Sequence, residues 1–336
     1  MKRIALLSIT TLLGSILLFT ACNKTAKSKW TNVFRLPIGG SGSGHEILRL
    51  QCKSASIGYA VTPVGFIHTS QGCRLWSDGG VLPSSTGYDI TDFDFTSEKG
   101  GLCIAHNGTA TRVFSTIDGG KEWSQKSSTS ATILIGKLGK KLFMKDAMNG
   151  IIVTANIEFL STTDGGITWK NEGKLGTSQN YMPEIALFGN TITALERSGK
   201  VSQSVDNGKT WLTKGTIPND STFSRTPFSI ETLDGKTMYA TLLYGTYKST
   251  NAGANWVKVT TESATLGYLV RMYDFNKVSV IGVDGNTDLT VWTSIDDAAS
   301  WSKHVLGTEP DEDTFFDMIG NGGLAISGND VYAYAE

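Results

Sequence analysis

The carboxylates that stand out by their spacing belong to a recurring octet, [Ser/Thr]-x-Asp-x-Gly-x-x-Trp. Repeated aspartates could act as general acids or bases. However, a hydroxyl and a carboxylate two residues apart also accept backbone N–H groups and hold a tight turn, and the glycine supplies a backbone with positive φ. We therefore interpret the octets as structural, including their worn copies. The residues concerned are Asp118, Gly120, Trp123, Asp164, Gly166, Trp169, Asp206, Gly208, Trp211, Asn251, Gly253, Trp256, Asp296, Trp301 and Trp76.

The tryptophans of the octets recur at a steady interval. Consecutive copies from Trp76 to Trp301 stand 42 to 47 residues apart, and Trp30 precedes Trp76 by 46. A period of this size is typical of a propeller or a solenoid. The octets resemble Asp-boxes, the repeat of bacterial neuraminidases. That resemblance implies a β-propeller, in a group that includes sialidases, other glycoside hydrolases, receptor ectodomains and assembly factors without enzymatic activity.

Each repeat contains four short strand signals separated by turns, which predicts a four-stranded antiparallel blade. The last repeat has only three signals, over Phe315–Met318, Gly323–Ser327 and Val331–Tyr334. A lone strand at Trp30–Phe34 supplies the missing fourth, and pairing it there removes an open sheet edge. We therefore predict an all-β, seven-bladed propeller closed between its N-terminal strand and its three C-terminal strands. The repeat and blade number resemble the photosystem II stability/assembly factor group.

The N-terminus has the features of a targeting segment. Lys2 and Arg3 precede the apolar run Ile4–Phe19, which is short for a membrane span. The following Phe19-Thr20-Ala21-Cys22 resembles the lipobox of bacterial lipoproteins. This predicts a signal peptide over residues 1–21, a lipidated tether over 22–29 anchored at Cys22, and one propeller over 30–336. The expected location is the cell envelope, at the outer membrane, facing the periplasm or the surface. The alternative is ordinary signal cleavage with Cys22 unmodified.

Charge and cysteine content bear on the partners. The chain has 30 basic and 31 acidic residues, a net charge of −1, so no basic field for nucleic acid is visible. Cys52, Cys73 and Cys103 form no metal-binding pattern. A Cys52–Cys73 bridge is conceivable, but buried unpaired thiols are the favoured interpretation. We expect no cofactor and no metal, and a monomer.

One short motif indicates possible enzymatic activity. Phe34-Arg35-Leu36-Pro37 resembles the arginine motif of sialidases, in which the arginine binds the substrate carboxylate. Glu196, Arg197 and Arg271 are the other catalytic candidates, but the loop after Arg35 and the seven blades depart from the sialidase pattern. The carboxylates Asp311, Asp313 and Asp317 leave another glycoside hydrolase open.

The mouth of the propeller opposite the Asp-boxes is the expected binding site, because concave mouths of closed β-structures collect ligands. Its candidate residues are His45, Tyr88, His106, Tyr181, Tyr244, Asp284, Asp311 and Asp313. The alternative interpretation is a solvated polar rim. We favour a membrane-tethered binding or scaffold propeller with a protein or carbohydrate ligand over a glycoside hydrolase acting at the same mouth.

Overall fold

The chain folds into a seven-bladed propeller of four-stranded antiparallel sheets, as the repeat predicts. The structure is a computed structural model. It describes residues 29–35, 49–54, 56–62, 65–70, 76–83, 88–107, 110–126, 134, 136–176, 181–218, 227–242, 245–259, 266–308, 314–319, 322–327 and 330–335. Blades I to VI follow one another along the chain, and blade VII combines the last three strands with the first.

Each blade has one strand at each of four positions from the channel outward, named here in order from blade I to blade VII. The innermost strands are β2 (Arg49–Cys52), β6 (Asp89–Phe95), β10 (Gly139–Met144), β14 (Glu184–Phe188), β18 (Pro227–Thr232), β22 (Leu266–Asp274) and β26 (Thr314–Ile319). The second strands are β3 (Gly58–Thr62), β7 (Gly101–His106), β11 (Gly150–Thr154), β15 (Thr191–Leu195), β19 (Met238–Leu242), β23 (Lys277–Val283) and β27 (Gly322–Ser327). The third strands are β4 (Gly65–Thr69), β8 (Thr111–Thr116), β12 (Glu158–Thr162), β16 (Lys200–Ser204), β20 (Gly245–Ser249), β24 (Asp288–Ser294) and β28 (Asp330–Ala335). The outermost strands are β5 (Trp76–Asp78), β9 (Ser124–Gln125), β13 (Lys170–Lys174), β17 (Leu212–Thr216), β21 (Val257–Lys258), β25 (Ser302–Thr308) and, in blade VII, β1 (Lys29–Arg35).

The core lies between the blades. Seven apolar clusters are buried, and each joins side chains of two adjacent blades. The position ten residues before each Asp-box tryptophan is buried in all six cases, including Thr246, its one polar member. Because each sheet contributes apolar side chains to both faces, the second strands are almost continuously buried.

The ring closes as predicted. Strand β1 pairs antiparallel with β28, with Trp30 opposite Tyr334. The Trp30 ring is buried and lies 5.3 Å from the ring of Tyr334 and 5.8 Å from that of Phe316. The N-terminal strand therefore completes both the sheet and the core of blade VII.

The Asp-box turns join the third and fourth strands of their blades. They share one rim with the turns between first and second strands, because backbone N–H groups of the boxes reach those turns: Gly119 N–H donates to Lys99 O at 2.9 Å, and Gly165 N–H to Met148 O at 2.8 Å. We call this the box rim. The opposite rim, formed by second-to-third-strand turns and the connections between blades, is the connection rim.

Cys52 and Cys103 are both buried, and Cys73 lies outside the described residues. Within the described ranges, no helix combines the length and the apolar character required to cross a bilayer.

Candidate binding site

The central channel is a cavity of about 510 Å³ whose wall comes from the innermost strands of all seven blades. Alternate residues of a strand point to opposite faces of its sheet. Charged residues at every second position of an innermost strand therefore lie on the same face of that strand. The polar and charged side chains of the wall are Arg49, Gln51, Thr91, Asp92, Asp94, Lys140, Lys141, Glu184, Ser229, Glu231, Arg271 and Asp317.

Two aspartates of β6 connect three consecutive blades. Asp92 is buried, pairs with Arg49 of blade I, and accepts the Leu142 N–H of blade III at 2.7 Å. One step along the strand, Asp94 accepts Gln51 Nε2 at 2.6 Å and Met144 N–H at 2.7 Å. Both carboxylates thus bridge a side chain on one neighbouring blade and a backbone N–H on the other.

Arg271 holds the opposite side of the wall. Its Nη1 donates to Glu231 of blade V at 2.8 Å, and its Nε to Asp317 of blade VII at 3.2 Å. Asp317 also accepts the Cys52 N–H of blade I at 2.6 Å. The same pattern of a charged side chain and a backbone donor therefore links blades V, VI, VII and I.

Burial changes the proton affinity of the channel carboxyls. Desolvation raises the pKa of Glu184, against the favourable charges of Lys141 and Arg271. Desolvation likewise raises the pKa of Glu231, although the positive charge of Arg271 opposes the shift. It also raises the pKa of Asp94, where the charge of Arg49 opposes it. Carboxyls with raised pKa can donate hydrogen bonds or protons nearer to neutral pH than ordinary ones. Among the described residues, no group of three or more His, Cys, Asp or Glu side chains is arranged to hold a metal ion.

The Asp-boxes have the hydrogen bonds that hold a turn. In blade II, Thr116 Oγ1 donates to Asp118 Oδ1 at 2.7 Å and accepts Gly120 N–H at 2.9 Å, and Asp118 Oδ1 also accepts the N–H groups of residues 121 and 122. Trp123 Nε1 donates to Gly120 O at 3.0 Å. Blades III, IV and V repeat the tryptophan bond through Trp169, Trp211 and Trp256.

The worn boxes retain less of this geometry. In blade VI, Ala298 replaces the glycine and has a φ of 67°. The indole N–H groups of Trp301, in that box, and of Trp76, in blade I, are buried and have no hydrogen-bond partner among the described residues. Asp296 nevertheless accepts Ser300 N–H at 2.8 Å. In blade VI, loss of the glycine thus coincides with loss of the tryptophan bond, while the aspartate contacts remain.

The proposed catalytic residues lie in separate places. Arg35 ends β1, an outermost strand, opposite Asp330. Glu196 and Arg197 occupy the β15–β16 turn, where buried Glu196 forms an ion pair of 2.9 Å with Lys200. Only Arg271 lines the channel. The elements that carry Arg35, Arg197 and Arg271 therefore lie in three different blades.

Several mouth candidates lie on the connection rim. The exposed Tyr181 has the guanidinium of Arg197 over its ring at 4.5 Å. The Tyr88 hydroxyl accepts Arg112 Nε at 3.3 Å, and the half-buried His106 ends β7 opposite Asp89. Cys22, His45, Tyr244, Asp311 and Asp313 lie outside the described residues.

Asp284, another of the mouth candidates, has its carboxylate engaged within its own turn. Its carboxylate is buried, forms an ion pair of 2.7 Å with Lys303, and accepts the N–H groups of Asn286 and Asp288. The Lys303 contact and these backbone bonds lower its pKa. Asp284 therefore holds its own turn, in the manner of an Asp-box aspartate.

The repeat and its turns do not predict most of the channel wall. Arg49, Asp92, Asp94 and Glu231 lie in the innermost strands β2, β6 and β18 and belong to no Asp-box. One signal is present in β6, where Asp92 and Asp94 place two carboxylates on one face of a strand whose other residues include Phe93 and Phe95.

Comparison with known proteins agrees with the blade count. Residues 138–327 match the family described as photosynthesis system II assembly factor YCF48. A solved structure of YCF48 bound to D1 peptide is 16% identical, with a TM-score of 0.66 over 91% of this chain and 97% of that one. YCF48 from Cyanidioschyzon merolae is 14% identical, with a TM-score of 0.67 over 91% and 98% of the two chains.

A glycoside hydrolase also shares the fold. The GH74 enzyme of Niastella koreensis is 17% identical, with a TM-score of 0.64, over 90% of this chain but 53% of the enzyme. No curated protein matches the sequence. Identities this low show the fold alone, whereas the family match spans more than half of the 336 residues. The chain belongs to the family of photosynthesis system II assembly factor YCF48.

Proposed function

We propose that this protein is a non-enzymatic binding propeller that holds an extended segment of a partner protein at the connection-rim mouth of its channel. We further propose that a lipid at Cys22 tethers it to the outer membrane of the cell envelope. The family relation supports a binding role, and the relative with a bound D1 peptide supports a protein ligand over a carbohydrate.

The observation that carries the proposal is the exposed pair of Arg197 and Tyr181 on the connection rim. The tyrosine ring holds the guanidinium in place, yet leaves its N–H groups free to bind a carboxylate or a backbone carbonyl. The connection that carries Tyr181 leads directly into β14, whose first residue, Glu184, lines the channel. Lys140, also exposed, lines the same channel from the neighbouring blade.

The channel aspartates fit binding better than hydrolysis. Asp92, Asp94 and Asp317 each accept a backbone N–H from a neighbouring blade. A carboxylate engaged in this way is less available to activate water. The wall also offers both charges and several apolar side chains, including Phe143 and Leu269, as a mixed peptide would require.

To test this function, peptides that bind the wild-type protein are first selected from a random display library. Their dissociation constants are then measured by fluorescence anisotropy against Arg197→Ala, Arg197→Lys and the control Lys209→Ala, an exposed lysine on the box rim of the same blade. We expect Arg197→Ala to weaken binding about tenfold or more, since desolvated charge-assisted contacts contribute roughly 1.5–3 kcal/mol. Equal affinities for all variants would exclude this site.

Hydrolysis is the second candidate because two glutamates with raised pKa, Glu184 and Glu231, face the channel. A protonated glutamate opposite an ionised carboxylate is the arrangement of a glycosidase. Incubation with a sialoside and with a β-glucan tests it. Turnover that disappears in Glu184→Gln or Glu231→Gln would replace the binding proposal with an enzyme.

A further inference from the structure

We propose that the box rim rests on a lipid bilayer, with the connection rim directed away from it. This inference rests on the tether at Cys22 that forms part of the proposed function. It assigns the exposed apolar side chains of the box rim as a membrane contact.

Apolar residues recur on the box rim where solvent exposure is greatest. The second residue of the octet is Ile117, Val205 and Ile295 in blades II, IV and VI, and these side chains are 87, 70 and 64% exposed. The flanking Ser or Thr hydroxyl and the Asp carboxylate bond to their own turn, so the side chain between them points outward. The adjacent first-to-second-strand turns add the exposed Met148 and Phe275, and the end of β14 adds the exposed Phe188.

The tether leaves the propeller from this same rim. Strand β1 begins at Lys29, which pairs with Ala335 at the end of β28. Third strands end at the box rim in every blade, so Lys29 lies there too. Cys22 precedes Lys29 by seven residue steps, and at ~3.3–3.6 Å per step this length reaches at most about 25 Å.

That reach decides the orientation. The seven residues of β1 rise about 3.3 Å each, so the two rims are at least ~20 Å apart. If the connection rim faced the bilayer, the tether would have to run back along the whole height of the blade, which would use nearly all of its length. The turns at each rim would add further to that distance. With the box rim against the bilayer, little of the tether is needed, and six apolar side chains meet the lipid surface.

The charges of the box rim are mixed. Exposed Lys121 and Lys209 alternate with exposed Glu122 and Asp296, so the rim has no uniform attraction for anionic headgroups. The contact should therefore depend on apolar insertion at the interface, as for other interfacial side chains, and only weakly on lipid charge.

Depth-dependent quenching tests the orientation. The full-length, processed protein carrying a nitrobenzoxadiazole label at Met148→Cys is reconstituted into vesicles of phosphatidylcholine, alone or with phosphatidylglycerol, that contain nitroxide-bearing lipids. The reference label is at Asn286→Cys, which is exposed in the β23–β24 turn of the connection rim. Wild-type protein treated with the same reagent measures the background labelling of the native cysteines. We expect quenching at Met148 in both vesicle types and none at Asn286.

Two multiple variants separate insertion from mere proximity. Ile117→Ser/Val205→Ser/Ile295→Ser should reduce the Met148 quenching towards the Asn286 level. Val81→Ser/Val305→Ser, which removes exposed apolar side chains from the β5–β6 connection and from the middle of β25, should leave the quenching unchanged. All five positions are solvent-exposed, so both variants should fold.

Several results would overturn the inference. One is equal quenching at both labels, and another is quenching that occurs only in anionic vesicles. A third is a Met148 label that is already shielded from solvent without vesicles, which would mean that protein covers this rim. The fourth is failure of the protein to float with vesicles, which would remove the anchor on which the inference rests. Flotation reports the anchor, and peptide affinity in detergent reports the proposed binding function. Failure of either is thus distinguishable from failure of the orientation.

Discussion

The carboxylate of Asp317 accepts the backbone N–H of Cys52 at 2.6 Å, and this bond joins the innermost strands of blades VII and I. Asp92 makes the equivalent contact to Leu142 at 2.7 Å between blades II and III. The ring is therefore held at its inner edge by carboxylate-to-backbone bonds, in addition to the apolar clusters farther out.

Asp317→Ala should lower the free energy of unfolding by about 1–3 kcal/mol, because Cys52 N–H and Arg271 both lose an acceptor. Urea denaturation measures the loss. Asp317→Asn retains an acceptor oxygen and should be less damaging. An alanine variant as stable as the wild type would show that the bond contributes nothing to closure.

Trp30→Ala should cost about 3–5 kcal/mol, the usual range for deleting a buried large aromatic side chain. Trp30 is 4% exposed and packs between Phe316 and Tyr334 in the blade that closes the ring. Denaturation curves should show one cooperative transition at a lower midpoint. The exposed Leu212→Ala serves as the control, and a similar small effect from both changes would contradict the importance of β1.

Ala298→Gly should stabilise the protein by about 0.5–1 kcal/mol. Ala298 adopts a φ of 67°, where the other described boxes have glycine at values from 82° to 92°, and a left-handed backbone conformation strains a residue that carries a Cβ. Thermal unfolding provides the measurement. Ala299→Gly, at an exposed neighbour without positive φ, should be neutral or destabilising. A lower melting temperature for Ala298→Gly would mean that the turn is not strained.

Asp206 should make stability depend on acid. Hydrogen bonds from the Thr210 N–H and hydroxyl, then from Ser204, lower its pKa from 3.8 to about 2. A carboxylate with a depressed folded-state pKa stabilises above its unfolded pKa, and the effect disappears as pH falls through the folded value. The melting-temperature difference between wild type and Asp206→Asn should therefore be constant above pH 5 and shrink between about pH 4 and pH 2. A difference that does not change over that window would refute the assignment.

The repeat allowed most of the fold to be predicted. Strands β26, β27 and β28 begin and end within one residue of the predicted strand signals, and the lone N-terminal strand could be matched to blade VII by the phase of Trp30. Local patterns sufficed here because turn chemistry and strand alternation act within one repeat.

The channel could not be predicted in the same way. Arg49 and Asp92 are 43 residues apart, and their pairing depends on how adjacent blades pack. Asp284 shows the opposite difficulty. Its position in a loop makes it a candidate for ligand binding, but its carboxylate is bonded to Lys303 and to backbone N–H groups of its own turn. Polarity in a loop does not distinguish a residue that binds a partner from one that binds its own backbone.

The pairing of Lys29 with Ala335 places the first and last described residues side by side in one sheet. The fold is therefore a continuous ring, in which the position of the chain break is arbitrary with respect to packing. A circularly permuted chain, with these ends joined and new termini opened at an exposed turn such as that of Asn286, should keep all seven blades. Its N-terminus would then lie at the connection rim, so an N-terminal anchor would hold that rim, and not the box rim, towards the membrane.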